Sequence, residues 1–272
     1  MIDQNSGDVR RASGLSRRGL IGGGLALSAA LPSVASAQAA GWTRIPGSAR
    51  EIGAGDNGTV CVIGRSSAGA GGNTIHRWNT QLTGNVWQTL GGAATDITVQ
   101  DDGRPWVINQ QNGIFRWSDG SWQNIPGRAT DIAAGGGAEV YVIGTGAVPG
   151  GYRIYRWNGQ TSGSAWDVLP GGAVRIAVDQ AGNPWVVNDV GYVYRWNGSG
   201  WTRLPGAAVD IGAGGGEIYV IGTIEVPGGF SIHRYGGGTS WIRLSGGGTR
   251  IDADGNGVPW VVNDVGNIYR AN

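Results

Sequence analysis

One sequence pattern recurs along this chain, and it constrains the fold more than any other feature. A tryptophan opens each copy, at Trp42, Trp87, Trp122, Trp166, Trp201 and Trp241. Longer and shorter copies alternate, so the units are of two kinds. Each copy contains four short runs rich in Val, Ile, Tyr and Trp, separated by Gly, Asn and Asp, which predicts four short β-strands per unit. Repetition at this period is typical of folds in which each repeat is one structural unit.

Four-stranded units of this kind predict an all-β fold, a six-bladed β-propeller with antiparallel blades. The pattern begins with an outer strand at residues 41–47 and ends with a third strand at residues 267–272. The last blade therefore lacks its outer strand. We expect the N-terminal strand to complete that blade and close the ring, which leaves no open sheet joint.

The first forty residues have the features of an export signal. A basic start precedes an apolar run at 20–31, which is too short to span a bilayer, and an Ala-x-Ala site follows at 35–37. The paired arginines at 17–18 resemble a twin-arginine signal, and the alternative is an ordinary secretory signal. The sequence predicts a cleavable signal at 1–40, a propeller at 41–272, and a periplasmic or secreted protein.

Composition excludes several classes of function. Without the four arginines and two aspartates of the predicted signal, the remaining chain has a formal net charge of −1, against +1 for the whole. A near-neutral chain lacks the basic surface of a nucleic-acid-binding protein, and no later apolar stretch is long enough to span a membrane. Cys61 is the only cysteine, so no intramolecular disulfide can form and stability must come from packing.

The repeated motif W-x-x-(I/L)-P-G, followed by a glycine turn and a second-strand (W/Y)-V-(I/V), resembles the tectonin β-propeller family. The clearest copy is "WDVLPGGAVRIAVDQAGNPWVVNDVGYVYRW" at 166–196, and the pattern extends from Trp42 to Arg270. Relatives in that family are lectins that bind sugars, bacterial lipopolysaccharide or methylated glycans, often through several equivalent pockets. The resemblance implies a non-catalytic, multivalent glycan-binding protein of the cell envelope or exterior.

Four positions of the short units carry side chains suited to sugar binding. The candidate residues are Asn109, Asn188, Asn263, Asp189, Asp264, Trp106, Trp185, Trp260, Arg116, Arg195 and Arg270. In the predicted site, a tryptophan stacks on the sugar ring while Asn, Asp and Arg bind its hydroxyls. Three of these positions also have a structural interpretation: tryptophan buried between blades, asparagine in a strand-ending turn, and arginine paired with the adjoining blade.

The long units carry extended loops at 65–74, 145–153 and 223–231, with Tyr152 and Phe230 predicted to be exposed at two loop tips. Binding residues concentrate on such loops. An alternative function therefore uses this face: a protein-interaction scaffold in the envelope that binds a single partner through an aromatic patch.

Charged residues precede the isoleucine of each predicted innermost strand, at Glu51, Asp96, Asp131, Arg175, Asp210 and Arg250. We expect them at one mouth of the central channel, as mutual ion pairs and solvated charges rather than as metal ligands.

The stretch "DADGNG" at 252–257 resembles a calcium loop, but Asn263 stands where such a loop needs glutamate. His76 and His233 occupy equivalent places, and no asymmetric polar cluster points to catalysis. The sequence predicts no cofactor, no metal and no enzyme, with a lyase or hydrolase as the enzyme alternative.

Overall fold

The computed structural model describes residues 41–79 and 86–272, so the export signal predicted at 1–40 lies outside the described residues. The strands are β1 (Trp42–Ala54), β2 (Val60–Ser67), β3 (Asn73–Trp78), β4 (Trp87–Ala94), β5 (Asp96–Val99), β6 (Pro105–Ile108), β7 (Gly113–Ser118), β8 (Ser121–Gly135), β9 (Glu139–Val148), β10 (Gly151–Trp157), β11 (Trp166–Ala173), β12 (Arg175–Val178), β13 (Pro184–Val187), β14 (Tyr192–Trp196), β15 (Trp201–Ala207), β16 (Asp210–Gly214), β17 (Glu217–Val226), β18 (Gly229–Tyr235), β19 (Trp241–Gly248), β20 (Arg250–Ala253), β21 (Pro259–Val262) and β22 (Asn267–Ala271). A 3₁₀ turn at Gly136–Ala138 precedes β9.

Four-stranded antiparallel groups are the unit of this fold. β12 to β15 form one sheet and β16 to β19 another, each in chain order. The other strands form two seven-stranded sheets, one ordered β20-β21-β22-β1-β2-β3-β4 and the other running from β5 to β11. Each larger sheet divides at a long strand, β1 or β8, into two groups of the same four-stranded kind.

The two long strands each serve two groups. β1 pairs with β22 over residues 42–48 and with β2 over residues 49–54. β8 likewise pairs with β7 through its first half and with β9 through its second half. The sequence predicts an outer and an inner strand as separate elements in these places, whereas the structure continues one strand through both because no turn interrupts it.

A repeated hydrogen bond joins each unit to the one before it. The indole N–H of each opening tryptophan donates to a backbone carbonyl in the preceding outer strand: Trp42 to Ser245 (2.9 Å), Trp87 to Pro46 (2.6 Å), Trp122 to Gly91 (2.6 Å), Trp166 to Pro126 (2.6 Å), Trp201 to Pro170 (2.7 Å) and Trp241 to Pro205 (2.9 Å). The next residue is a glycine at positive φ, as at Gly127 (φ 117°), where an added Cβ would lie 2.9 Å from Trp166 Nε1. The Pro-Gly of the motif thus supplies an acceptor and room for the next tryptophan.

The core lies between neighbouring groups. The short second strands β6, β13 and β21 are buried at every position, which explains why their sequences lack an apolar–polar alternation. The innermost strands also contact one another in chain order, β1 with β5, β5 with β8, β8 with β12, β12 with β16 and β16 with β20, and β20 contacts β1. No helix in the described part of the chain is long and apolar enough to cross a membrane.

Candidate functional site

Each four-stranded group has two edges at which its strands turn, and the predicted site residues divide between them. In an antiparallel group, the first-to-second and third-to-fourth turns lie at one edge, which we call the turn edge. The connection from the second to the third strand, and the connection to the next group, lie at the opposite edge, which we call the loop edge.

The three predicted stacking tryptophans are almost fully buried at the turn edge. Trp106, Trp185 and Trp260 are 0%, 2% and 3% exposed. Each indole N–H donates to a side chain of the turn before its strand: Trp106 to Gln100 Oε1 (3.1 Å), Trp185 to Asp179 Oδ2 (3.0 Å) and Trp260 to Asp254 Oδ2 (3.2 Å). Very little of each indole is therefore open to a sugar ring, and its contacts are those of a packing residue.

The three predicted arginines lie directly across from these tryptophans. The cross-strand pairs are Trp106–Arg116, Trp185–Arg195 and Trp260–Arg270. The guanidinium carbons lie 5.7, 5.4 and 5.7 Å from the respective ring centroids, within the range of a cation–π contact. The structure therefore brings the predicted tryptophans and arginines together.

The predicted asparagines lie at the other end of the same strands, on the loop edge. Their side-chain oxygens accept turn N–H groups: Asn109 from Gln111 (3.0 Å) and Gly113 (2.8 Å), Asn188 from Val190 (3.3 Å) and Tyr192 (2.7 Å), and Asn263 from Asn267 (2.8 Å). Asp189 and Asp264 follow them with exposed side chains. The predicted set is thus divided, because the last two residues of the second strand separate its tryptophan from its asparagine.

Two open grooves lie at the turn edge, each between a short unit and the long unit that follows it. The Arg195 groove has a volume of about 490 Å³, and Asn183, Trp196, Asn197, Thr202 and Tyr235 help to line it. The Arg270 groove has a volume of about 600 Å³, and Thr43, Asn57, Trp78, Asn79 and Asn256 help to line it. Both volumes fall within the range of small-molecule sites, and both linings combine aromatic, amide, hydroxyl and guanidinium groups.

The next unit supplies one aromatic wall of each groove. Tyr235 packs edge-on against Trp185 with ring centroids 5.1 Å apart, and Trp78 packs in the same way against Trp260 at 5.6 Å. Both rings are only partly buried. Sequence reasoning missed Tyr235 and Trp78, although an aromatic directly after the third-strand arginine recurs along the chain.

The third junction of this type is filled by its own arginine. The Arg116 guanidinium carbon lies 5.7 Å from the Trp106 centroid and 5.4 Å from that of Trp157. Its Nη2 donates to Gln123 Oε1 at 3.2 Å, while its Nε is buried without a partner. Burial, together with the nearby Arg104 charge, lowers the pKa of Arg116.

The junctions that follow long units are closed by tyrosines. Tyr141 Oη donates to the Gly182 carbonyl at 3.2 Å, and Tyr219 Oη donates to the Gly257 carbonyl at 2.7 Å. Burial raises the pKa of both phenols to about 12, so both remain donors at neutral pH. At the equivalent position, Cys61 is fully buried, and burial raises the pKa of its thiol to about 12. That thiol is therefore protonated and unreactive.

The charged residues before the innermost isoleucines pair with one another. Arg175 contacts Asp131 (2.8 Å) and Asp210 (3.5 Å), and Arg250 contacts Glu51 (2.6 Å). Carboxylates also accept the isoleucine N–H of the next unit: Asp96 from Ile132 (3.1 Å), Asp131 from Ile176 (2.7 Å) and Asp210 from Ile251 (2.9 Å). These contacts connect successive innermost strands.

The cavity at these carboxylates has a volume of only about 30 Å³, which suits a water molecule rather than a sugar. Burial raises the pKa of Asp210 to about 7 and that of Asp252 to about 8.

The calcium-like stretch is a turn in which Asp254 Oδ1 accepts the N–H groups of Asn256 and Val258. Within residues 41–79 and 86–272, no group of three His, Cys, Asp or Glu side chains is arranged to hold a metal.

The loop edge carries most of the exposed apolar side chains. Tyr152, Val190, Tyr192, Val209, Ile224 and Val265 are all exposed there. Tyr152 matches its prediction, but Phe230 does not, because its ring is half-buried and packs on the core cluster that contains Ile232. Asn188 also lines a smaller pocket of about 190 Å³ at this edge, beside Tyr194 and Trp201.

Comparison with known proteins identifies a family and a fold. The sequence profile of the Tectonin domain matches residues 70–147 and 173–272. No curated protein matches the chain significantly.

Among solved structures, a gluconolactonase from Xanthomonas campestris is 12% identical with a TM-score of 0.58, over 84% of this chain and 88% of that chain. A streptogramin B lyase is 15% identical with a TM-score of 0.55, over 85% of this chain and 97% of that chain. The WD40 β-propeller domain of Doa1 is 14% identical with a TM-score of 0.55, over 86% of this chain and 96% of that chain. Similarity at these identities shows a fold of the β-propeller type and carries no activity.

Proposed function

Because the chain belongs to the Tectonin domain family, we propose that it is a non-catalytic glycan-binding protein whose Arg195 and Arg270 grooves hold saccharides. One observation carries the proposal: the two grooves lie at equivalent junctions and combine a partly exposed aromatic ring with amide, hydroxyl and guanidinium donors. Aromatic faces suit the C–H face of a sugar, and the polar groups suit its hydroxyls. Two weak sites on one chain would gain affinity for a multivalent surface.

The proposed architecture is a closed ring of six blades. It is supported by the pairing of Trp42 with Ala271 and of Ser48 with Asn267, which gives the last group its fourth strand. The contact between β20 and β1 and the hydrogen bond from Trp42 to Ser245 support the same closure. In a ring of alternating unit types, the short-to-long junction that forms the grooves recurs three times.

The lining of the Arg195 groove supports a binding role over a catalytic one. Glycoside hydrolysis uses a pair of carboxyl groups that flank the scissile bond. The side chains that line this groove in the described chain include no Asp or Glu. The proposed setting is the periplasm or the cell exterior, supported by the export-signal features of residues 1–40, with lipopolysaccharide-type sugars as ligands.

A glycan array tests the proposal directly, using the chain without its predicted signal. We expect selective binding that free sugar competes away, and we expect the double variant Thr43→Tyr/Thr202→Tyr to lose it. Both threonines stand on outer strands at the grooves, so the added rings would fill them. Gln88→Tyr is the matched control, because Gln88 pairs with Arg77 as Thr202 pairs with Arg195, but in a long unit.

Binding that survives in the double variant would remove the grooves from the proposal. A blank array from folded protein would contradict glycan binding itself.

A second candidate function is an envelope scaffold that binds one protein partner. The exposed apolar side chains of the loop edge, including Val190, Tyr192 and Ile224, favour it. A partner surface of this kind would bind once per chain, whereas the grooves recur. Stoichiometry therefore separates the two functions: one site sensitive to Val190→Asp would favour the scaffold, and two or more sites insensitive to it would favour the grooves.

A further inference from the structure

We propose that the Arg195 groove selects saccharides that carry an anionic group, such as a carboxylate, sulfate or phosphate; this inference rests on the proposed function. It starts from a difference between units in what neutralises the third-strand arginine. In two of the three long units the third-strand arginine is neutralised by a glutamate of the same unit, whereas in the third Thr59 stands at the glutamate position and Arg77 Nη2 donates to the Gly103 carbonyl at 3.0 Å. Arg156 binds Glu139, with Nε 2.6 Å from Oε2, and Arg234 Nη1 lies 3.3 Å from Glu217 Oε1.

All three short units lack that glutamate, and so does the long unit that contains Cys61. The glutamate stands two residues before the second-strand aromatic, and the same position holds Arg104, Asn183 or Val258 in the short units. The guanidinium of Arg195 makes no hydrogen bond or ion pair with any described side chain, and its contact is the face of Trp185 at 5.4 Å. Arg270 retains a weak pair with Asp254 at 3.6 Å. Arg195 is therefore an unneutralised cation in an open groove.

The surroundings of Arg195 favour an anionic ligand. Among the described residues that line the groove, Arg195 is the only charged one, and Asn183, Asn197 and Thr202 add uncharged polar groups. A guanidinium offers paired donors that match a carboxylate, sulfate or phosphate, and charge-assisted hydrogen bonds are about twice as strong as neutral ones.

The test compares sugars that differ only in charge. Binding of D-glucuronic acid, glucose 6-sulfate, glucose 6-phosphate and D-glucose is followed by NMR titration of the tryptophan indole N–H signals. The Thr43→Tyr background fills the Arg270 groove, so the Arg195 groove is the one observed. We expect at least one anionic sugar to bind about tenfold more tightly than glucose, with a preference that weakens as salt rises.

Two variants remove the preference in different ways. Arg195→Gln removes the charge, and Asn183→Glu places beside Arg195 the glutamate that two of the long units have as Glu139 and Glu217. We expect both to lose the preference for anionic sugars, so that the ratio of the affinities for the anionic sugar and for glucose falls from about ten to about one. Arg156→Gln is the matched control in a long unit and should keep that preference.

Equal binding of charged and neutral sugars, or a preference unchanged in Arg195→Gln, would overturn this inference and leave glycan binding in place. Absence of binding by all four sugars would overturn both. The identity of the preferred anionic sugar distinguishes a uronic acid from a sulfate or phosphate ester.

Discussion

At the scale of single residues, side chains of the same type have different roles that depend on their neighbours. Arg156 is held by Glu139, whereas Arg195 has only the face of Trp185. Asparagine at the end of β13 is occupied by its own turn, because Asn188 Oδ1 accepts two backbone N–H groups. The residue type alone therefore does not identify a ligand-binding position in this chain.

Asn188→Ala tests the role of the asparagine turn. Removing the acceptor leaves the N–H groups of Val190 and Tyr192 without it, so we expect a loss of about 1–2 kcal/mol in the free energy of unfolding. Asn188→Asp keeps an acceptor oxygen and should lose less. Sugar binding at the Arg195 groove should be unchanged, as measured by the same NMR titration. Loss of binding at full stability would instead make Asn188 a ligand contact.

At the scale of elements, the Pro-Gly turn of one outer strand and the opening tryptophan of the next unit form a single contact. The carbonyl of Pro126 accepts the Trp166 indole N–H at 2.6 Å, and Gly127 provides the space that the ring needs. The same arrangement recurs at each described outer strand. The residues of the motif are therefore determined by contacts between units as well as by the strand in which they lie. This is why a signature confined to one short strand can identify the whole fold.

Gly127→Ala tests whether this contact contributes to stability beyond the backbone strain of alanine at positive φ. The matched control is Gly120→Ala, because Gly120 also has positive φ but an added Cβ there meets no atom within 4 Å. We expect Gly127→Ala to cost about 1–3 kcal/mol more than the control, since its Cβ would lie 2.9 Å from Trp166 Nε1. Urea unfolding measures both losses. Equal losses would mean that the tryptophan contact contributes nothing.

At the scale of the whole molecule, buried carboxylates connect the innermost strands of successive units. Asp252 Oδ2 accepts the Ala54 N–H at 2.8 Å, and its Oδ1 accepts the N–H of Ala213 at 3.2 Å. Burial raises the pKa of Asp252 from 3.8 to about 8 and that of Asp210 to about 7. At a pH between 3.8 and these raised pKa values, the folded protein binds more protons than the unfolded chain does.

Stability is therefore expected to fall as pH rises from about 4 to about 8, by up to about 1.4 kcal/mol per pH unit for each such group. The stabilising contribution is fully present below the unfolded pKa and is lost as pH passes the raised one. Asp252→Asn should flatten this slope, whereas Asp189→Asn, at an exposed site, should leave it unchanged. Chemical unfolding at pH 5, 6.5 and 8 measures the slopes, and a steeper fall in Asp252→Asn would contradict the assignment.

Much of the fold can be predicted from the sequence because its repeats are local. The division of the site could also have been predicted, since a four-residue strand places Trp185 and Asn188 at opposite ends. The aromatic walls are harder to predict, because Tyr235 belongs to a groove only through the neighbouring unit. Predicting that Arg195 lacks an ion-pair partner also requires a comparison between units, because it is the alignment of Asn183 with Glu139 that shows the missing glutamate.

The pairing of β1 with β22 has a consequence for biosynthesis. Thr43 and Asn272, whose side chains hydrogen-bond, are 229 positions apart, so the units between them must be synthesised before the two can meet. Until then, the first half of β1 has an unsatisfied backbone edge that a chaperone or another chain can occupy. The intervening units can assemble in order as they emerge, and the pairing of β1 with β22 follows them.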